Sequence, residues 1–331
     1  MLLPSVYDIK AEADRALRRA REPQKVILPY VVIMVLLASA MTVSNALLSD
    51  RIADTGGLAN FGLRSILSTA QAVLPMVQTV VMMCLEFGYL HAILRMSRGQ
   101  YADHTDLKVG FRRFGAICRL TLWQYFMLFG IVMALFYFSM QIYLVTPWAE
   151  PLIELLTPFV STTMQGNVAA LMDETTMETA VRMMGPMLII YGILCCLVVI
   201  PMLYRFRMAT YVLLDDPRGR GFAALRTSSR LMRKNKFRLF KLDLSFWWFY
   251  ALMLLANVMA YGDVFLPMLG VQLPFNETVA FYVFFFLYLV MLFAIYYFLR
   301  NPVEFAYAKA YDAIRDKPVD NGVVLGNIFD M

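Results

Sequence analysis

Apolar residues run through this chain in long blocks separated by short basic stretches. Six blocks are long enough to cross a bilayer, which takes about 20 apolar residues each. They cover about Val26–Leu48, Ala70–Leu94, Phe114–Val145, Pro186–Leu214, Leu242–Tyr261 and Thr278–Leu299. Pro75 is a candidate kink in the second. The third is longer than a bilayer needs, so it is tilted or projects beyond the lipid. A cleaved signal peptide ending at Ala38-Ser39-Ala40 is the rival reading of the first block. Its basic leader is long, however, and apolar character continues past that site. The pattern predicts an all-α polytopic membrane protein, a bundle of six transmembrane helices with amphipathic helices at the interface. Residues 1–317 form one six-span membrane domain, and 318–331 a short flexible tail.

The stretches between blocks carry a second periodicity. In residues 5–22, Val6, Ile9, Ala13, Ala16, Leu17 and Ala20 recur at helical spacing, with Arg15, Arg18, Arg19 and Arg21 on the rest of the surface. This predicts an amphipathic helix at the membrane surface. Residues 147–184 keep enough apolar positions for two short helices against the outer face, a plain cap or a lid over a substrate entrance. Residues 220–241 read as a further amphipathic helix. Phe222, Leu225, Ser229, Met232, Leu239 and Phe240 take one face, and Arg226, Arg230, Arg233, Lys234 and Arg238 gather on another.

Charge fixes the expected orientation. With six spans, residues 1–25, 95–119, 205–241 and 300–331 share one side and hold 27 of the 30 Lys and Arg. Positive residues favour cytoplasmic loops, so both termini are expected in the cytoplasm of a cell with the protein in its plasma membrane. The anionic inner leaflet is then the natural lipid partner, worth about 1 kcal/mol per nearby cation. The basic helix over 220–241 is an orientation anchor, or a surface for anionic lipid or a cytoplasmic protein. Composition agrees: 60% of residues are hydrophobic and 16% charged, against roughly half and a quarter in soluble domains. Topology accounts for the basic surface without nucleic acid. Each pair of spans follows a basic lead-in (13–25, 106–119, 222–238), which either marks three helix-plus-hairpin units or simply follows from topology.

The same lead-ins carry a resemblance. Ala224-Leu225, Ser228 or Ser229, Leu231-Met232, Lys236, Leu239-Phe240, Leu242 and Leu244-Ser245-Phe246 form one group. Arg98-Gly99-Gln100 with Asp106-Leu107 and Gly110-Phe111 forms a second, and Pro302 with Tyr311-Asp312-Ala313-Ile314 a third. On these residues the chain resembles the bacterial integral membrane family called domain of unknown function 975. The resemblance implies a multi-span membrane protein with no assigned reaction. The family's usual glycine is replaced here by Lys234, and bulky Trp247 and Trp248 follow Phe246. Both departures touch the junction between the basic helix and the fifth span.

Ionisable residues inside spans are expensive and often functional. Glu86 is the deepest acid, about two turns from the inner end of the second span. His91 and Arg119 lie nearer the interface, and Arg119, across the hairpin, is the expected partner of Glu86. The pair is either a structural lock or a relay site of a transporter. Asp243, at the mouth of the fifth span, is most simply an interfacial acid beside cations. Cys84, Cys118, Cys195 and Cys196 all fall in spans and form no zinc or disulfide pattern. Met82-Met83, Cys84, Met183-Met184 and Cys195-Cys196 offer soft sulfur that suits Cu(I), but no Met ladder or Cys-x-x-Cys is present. With two histidines and no nucleophile or phosphate-loop motif, no catalytic residue, metal site or cofactor is called for. The sequence favours a structural, regulatory or partner- and lipid-binding membrane component. The alternative is a small-solute or lipid transporter using a polar site near Glu86 and Arg119. Oligomeric state is not legible.

Overall fold

The computed structural model describes residues 3–54, 61–150, 184–216, 219–262, 265–266 and 276–315. The regular structure among them is helical. The helices are α1 (Val6–Arg19), α2 (Gln24–Asp54), α3 (Phe61–Ser97), α4 (Val109–Arg112), α5 (Phe114–Val145), α6 (Gly185–Phe206), α7 (Ala209–Asp215), α8 (Gly221–Leu231), α9 (Lys236–Leu244), α10 (Trp247–Ala260), α11 (Glu277–Ala294) and α12 (Arg300–Arg315). A π-helical turn, Ile295–Leu299, joins α11 to α12.

Five stretches are long and apolar enough to cross a membrane: Gln24–Ile52, Gly62–Ser97, Phe114–Val145, Gly185–Asp215 and Val279–Arg315. The pair α9 and α10, bent by 64° at their junction, makes a sixth when the two are counted as one span. This is an all-α polytopic membrane protein. Its long helices expose large apolar side chains such as Ile66, Phe129, Leu197, Leu254 and Phe286, which a hydrocarbon solvent accepts and water does not.

The chain divides into two units, residues 1–119 with 208–331, and residues 120–207. In the smaller unit Tyr143, Ala149 and Met187 form a small buried cluster with Met184 against it. The Tyr143 hydroxyl donates to the Trp148 carbonyl at 2.9 Å, and Phe136 meets Tyr191 edge to face. The expected outer helices of 147–184 lie almost wholly outside the described residues, as does the tail from 318.

The larger unit is built around α12. Val303, Phe305, Ala306, Tyr307, Ala308, Ala310 and Tyr311 are all nearly inaccessible, so this helix is enclosed on most sides. Helix α1 packs along it and α3 crosses it, while α2 pairs with α3 and α10 with α11. Ser5 caps α1 by accepting from the Asp8 N–H, and Arg18 and Arg19 close its last turn, the arrangement a helix dipole favours. The apolar face that the sequence assigns to the membrane surface, Ile9, Ala13 and Ala16, is buried here, in a helix packed on α12.

Two glycines let the loop after α3 lie directly on that helix. A Cβ on Gly88 would fall inside the Leu107 carbonyl, and one on Gly110 inside the Cys84 carbonyl. Asp103 and Asp106 form a reciprocal capping box there, and Arg95 pairs with Asp106 at 2.8 Å. The helix expected over 220–241 is broken. Met232–Asn235 turn between α8 and α9, and α9 meets the apolar helix α10 at an angle of 64°.

Candidate functional site

The polar centre of the larger unit forms where α2, α3 and α12 meet. Glu86 and Tyr89 are three residues apart on α3, and Arg300 and Glu304 four apart on α12, so each of these pairs shares a helix face. From α3 come Glu86 and Tyr89, from α2 Tyr30, and from α12 Arg300, Asn301 and Glu304. The π turn just before Arg300 shifts the helical register of the residues that follow it, and such turns recur at functional sites.

Arg300 is 7% exposed. Its guanidinium pairs with Glu86, donates to the Tyr30 hydroxyl at 2.7 Å, and lies 3.5 Å from Glu304. Tyr30 in turn donates to the other Glu86 oxygen at 2.6 Å. Three rings surround the cation, Tyr296 at 4.6 Å, Tyr89 at 5.0 Å and Tyr30 at 5.2 Å to their centroids. Tyr30 and Tyr89 stack at 4.5 Å, and the Tyr89 hydroxyl donates to Asn301 at 2.8 Å. A planar guanidinium suits this arrangement because its fork and its faces can be satisfied together.

A second cluster adjoins it. Tyr211 donates to Glu304 at 3.2 Å and stacks on Tyr311, whose hydroxyl donates to Asp215 at 3.0 Å. Arg98 bridges Asp215 at 2.8 Å and Asp312 at 2.7 Å, and Arg315 also pairs with Asp215. Partial burial of Arg98 works against its charge, but the bonds to Asp215 and Asp312 outweigh this and hold its pKa above the ordinary arginine value. A half-open cleft of about 230 Å³ lies beside this cluster, lined by Asp215, Asp216, Thr227, Tyr311 and Arg315 among smaller apolar residues.

The structure separates the residues that the sequence grouped. Glu86 meets Arg300 and Tyr30, while Arg119 is exposed and is not brought to it. The expected hairpin pair is therefore corrected. The partner comes from the far end of the chain, because α12 packs against α3. His91 is half-buried on α3, and its Nδ1 is buried without a hydrogen-bond partner among the described residues. Asp243 accepts from the Tyr307 hydroxyl, and Tyr307 also meets the Tyr250 hydroxyl at 2.8 Å.

On the basic surface, Arg226, Arg230, Arg233 and Lys234 are exposed. Arg238 is half-buried and donates to the Leu3 carbonyl, so it serves an internal contact. The buried Asn235 accepts from the Leu3 N–H at 2.8 Å. The sequence missed Arg300, Tyr30, Tyr89 and the Arg98–Asp215–Asp312 bridge. Arg300 counted only as one of the inner cations. The signal that could have found it is its place one residue beyond an unbroken apolar run, paired with Glu304 at i,i+4.

Among the described residues, no group of three or more His, Cys, Asp or Glu is placed to hold a metal ion. The four cysteines are free. The closed ring of donors and acceptors around Arg300 can clamp three helices. Its chemistry is that of a lock, with Glu86, 35% exposed at its side chain, as the member most open to its surroundings.

Compared with known families, residues 4–315 match the family described as "Protein of unknown function (DUF975)", the family to which the motifs around Ala224–Phe246 point. No curated protein and no solved structure matches the chain.

Proposed function

The chain belongs to the DUF975 family of proteins of unknown function, and from that premise we propose that it is a non-enzymatic component of the plasma membrane. Its role is structural or regulatory, exercised by binding lipid or a cytoplasmic partner at its inner face. The observation that carries this reading is the use of its deepest acid. Glu86 is neutralised by Arg300 and bonded by Tyr30, and Arg300 is itself enclosed by tyrosine rings. A relay site needs a group that can exchange its partner with a substrate or proton. A cation already bound by two acids and a hydroxyl is better suited to holding helices together.

The inner orientation of both termini is supported by 27 of 30 cations falling on one side of the spans. Fusions to the C-terminus that report on one compartment test it. The second reading is a transporter, favoured by the partial exposure of Glu86 and by the cleft at Asp215.

One experiment separates the two. Leu90 lies one turn from Glu86 on α3 and is buried. In a protein lacking its four native cysteines, L90C in proteoliposomes is treated with a membrane-impermeant thiol reagent from each side. The lock predicts no labelling from either side. Labelling would establish a water path beside Glu86 and sink the structural reading.

A further inference from the structure

Helix α9 has two faces of opposite use. Leu239 and Leu242 are fully buried, and Asn235 and Arg238 at its start hold Leu3. On the other side, Phe237 is 66% exposed, Phe240 40% and Leu244 59%. With exposed Lys241 they recur at i, i+3, i+4 and i+7, which places them in one stripe along the helix. Phe237 stacks on Phe240, and the Lys241 ammonium sits 5.0 Å over the Phe237 ring. Trp247, at the first turn of α10, is exposed as well.

The stripe is apolar where water would demand polar residues, and it leads directly into the apolar helix α10, Trp247–Ala260. Because α9 is bent 64° from α10, it runs more nearly along a membrane than across it once α10 crosses. Aromatic side chains with lysines at such a junction match the polarity gradient of the headgroup layer. The charge is one-sided: residues 220–241 contain eight Lys and Arg and no Asp or Glu.

We propose that α9 lies in the headgroup layer of an anionic leaflet. Phe237, Phe240 and Leu244 reach the acyl boundary, while Lys241, with Arg233, Lys234 and Lys236, binds lipid phosphate. This deepens the membrane-component reading and rests on it by naming anionic phospholipid as the partner of the inner face. It also revises the surface read from sequence: Arg238 leaves it, Arg226 and Arg230 stay on α8 apart from the α9 stripe, and Lys236 and Lys241 join it.

The test uses the full-length protein, without its native cysteines, in phosphatidylcholine bilayers with and without phosphatidylglycerol. Single nitroxides are placed at Phe240, at Leu244 and, as a reference, at the exposed Leu254 of α10. Depth is read from relaxation by oxygen and by an aqueous nickel chelate. Labels at Phe240 and Leu244 are expected just below the headgroups, with Leu254 deeper. Aqueous labels at Phe240 and Leu244 beside a lipid-facing Leu254 would overturn the proposal and leave the stripe to a protein partner. An aqueous Leu254 would overturn the membrane reading itself. Association of spin-labelled phosphatidylglycerol relative to phosphatidylcholine is then compared for K241Q and K236Q. A fall of about fivefold or less per cation removed is expected, and unchanged selectivity would overturn the assignment to anionic lipid.

Discussion

Replacing Arg300 by methionine is the most informative perturbation of this molecule. Methionine fills much of the same volume with a flexible apolar chain, so the change isolates the charge and its bonds. It deletes the pair with Glu86, the bond to Tyr30 at 2.7 Å and the 3.5 Å approach to Glu304. It leaves two carboxylates without their cation among tyrosine rings. Breaking a buried pair from one side costs about 3–5 kcal/mol. At about 2–4 °C per kcal/mol for domains of 150–250 residues, that is a fall in Tm of roughly 6–20 °C in thermal unfolding of the detergent-solubilised protein. E86Q is milder, about 1–3 kcal/mol, because Arg300 keeps Glu304 and Tyr30. The diagnostic is the double variant. With both charges gone, R300M/E86Q should be more stable than R300M alone, because an uncompensated acid costs more than its absence. R119M, on the exposed arginine, is the control and should stay within about 0.5 kcal/mol of the parent. If R300M is no worse than R119M, or if the double variant equals the sum of the singles, the lock does not exist as described.

Gly110→Ala and Gly88→Ala force a Cβ into backbone carbonyls of the facing segment. Each should cost at least the 1–3 kcal/mol typical of overpacking, measured as a drop in Tm. Gly115→Ala, where an added Cβ meets nothing within 4 Å among the described residues, should be neutral or stabilising by up to about 1 kcal/mol through helix propensity. Asp215→Asn weakens the bonds from Arg98, Arg315 and Tyr311 together. It should cost about 1–3 kcal/mol and, when combined with L90C, leave the thiol labelling pattern of that variant unchanged. Asn235→Ala removes the acceptor of the Leu3 N–H, so limited proteolysis should release the N-terminal residues faster than in the parent, while N235D should retain much of the protection.

The spans were legible because hydrocarbon imposes one rule on every residue of a crossing helix, and a hydropathy run records it directly. Their ends were less so. Helix α3 begins at Phe61, well before Ala70, and the last helix continues through Ile295–Leu299 to Arg315, where mixed polarity conceals burial on most sides. The break at Met232–Asn235 was hidden by continuous helical spacing of Phe222, Leu225, Ser229 and Met232. In the structure Leu225 and Met232 face inward and Phe222 outward. The acid of the site was found from its depth in a span. Its cation was not, because Glu86 and Arg300 are 214 positions apart and hairpin proximity favoured Arg119. Tyr30, Tyr89 and Tyr296 carry no signal of this use in the sequence, since a tyrosine's ring is apolar wherever it sits and only its partner reveals the hydroxyl's use.

That separation in sequence has a consequence for assembly. The larger unit joins residues 1–119 to 208–331, so its centre cannot close until the last helix is in place. Until then Glu86 lies on α3 without its cation, and the α12 face that α1 packs against is missing. An acid in that position is unfavourable in lipid, which makes the arrival of Arg300 the step that completes the fold. A chain ending at Leu299 should therefore insert its spans yet fail to reach the parent's stability. Adding E86Q should partly rescue that truncated chain while destabilising the complete one. The opposite sign of one substitution in two backgrounds follows only if Arg300 is what Glu86 waits for. An E86Q effect of the same sign in both would show that the acid is held by something else.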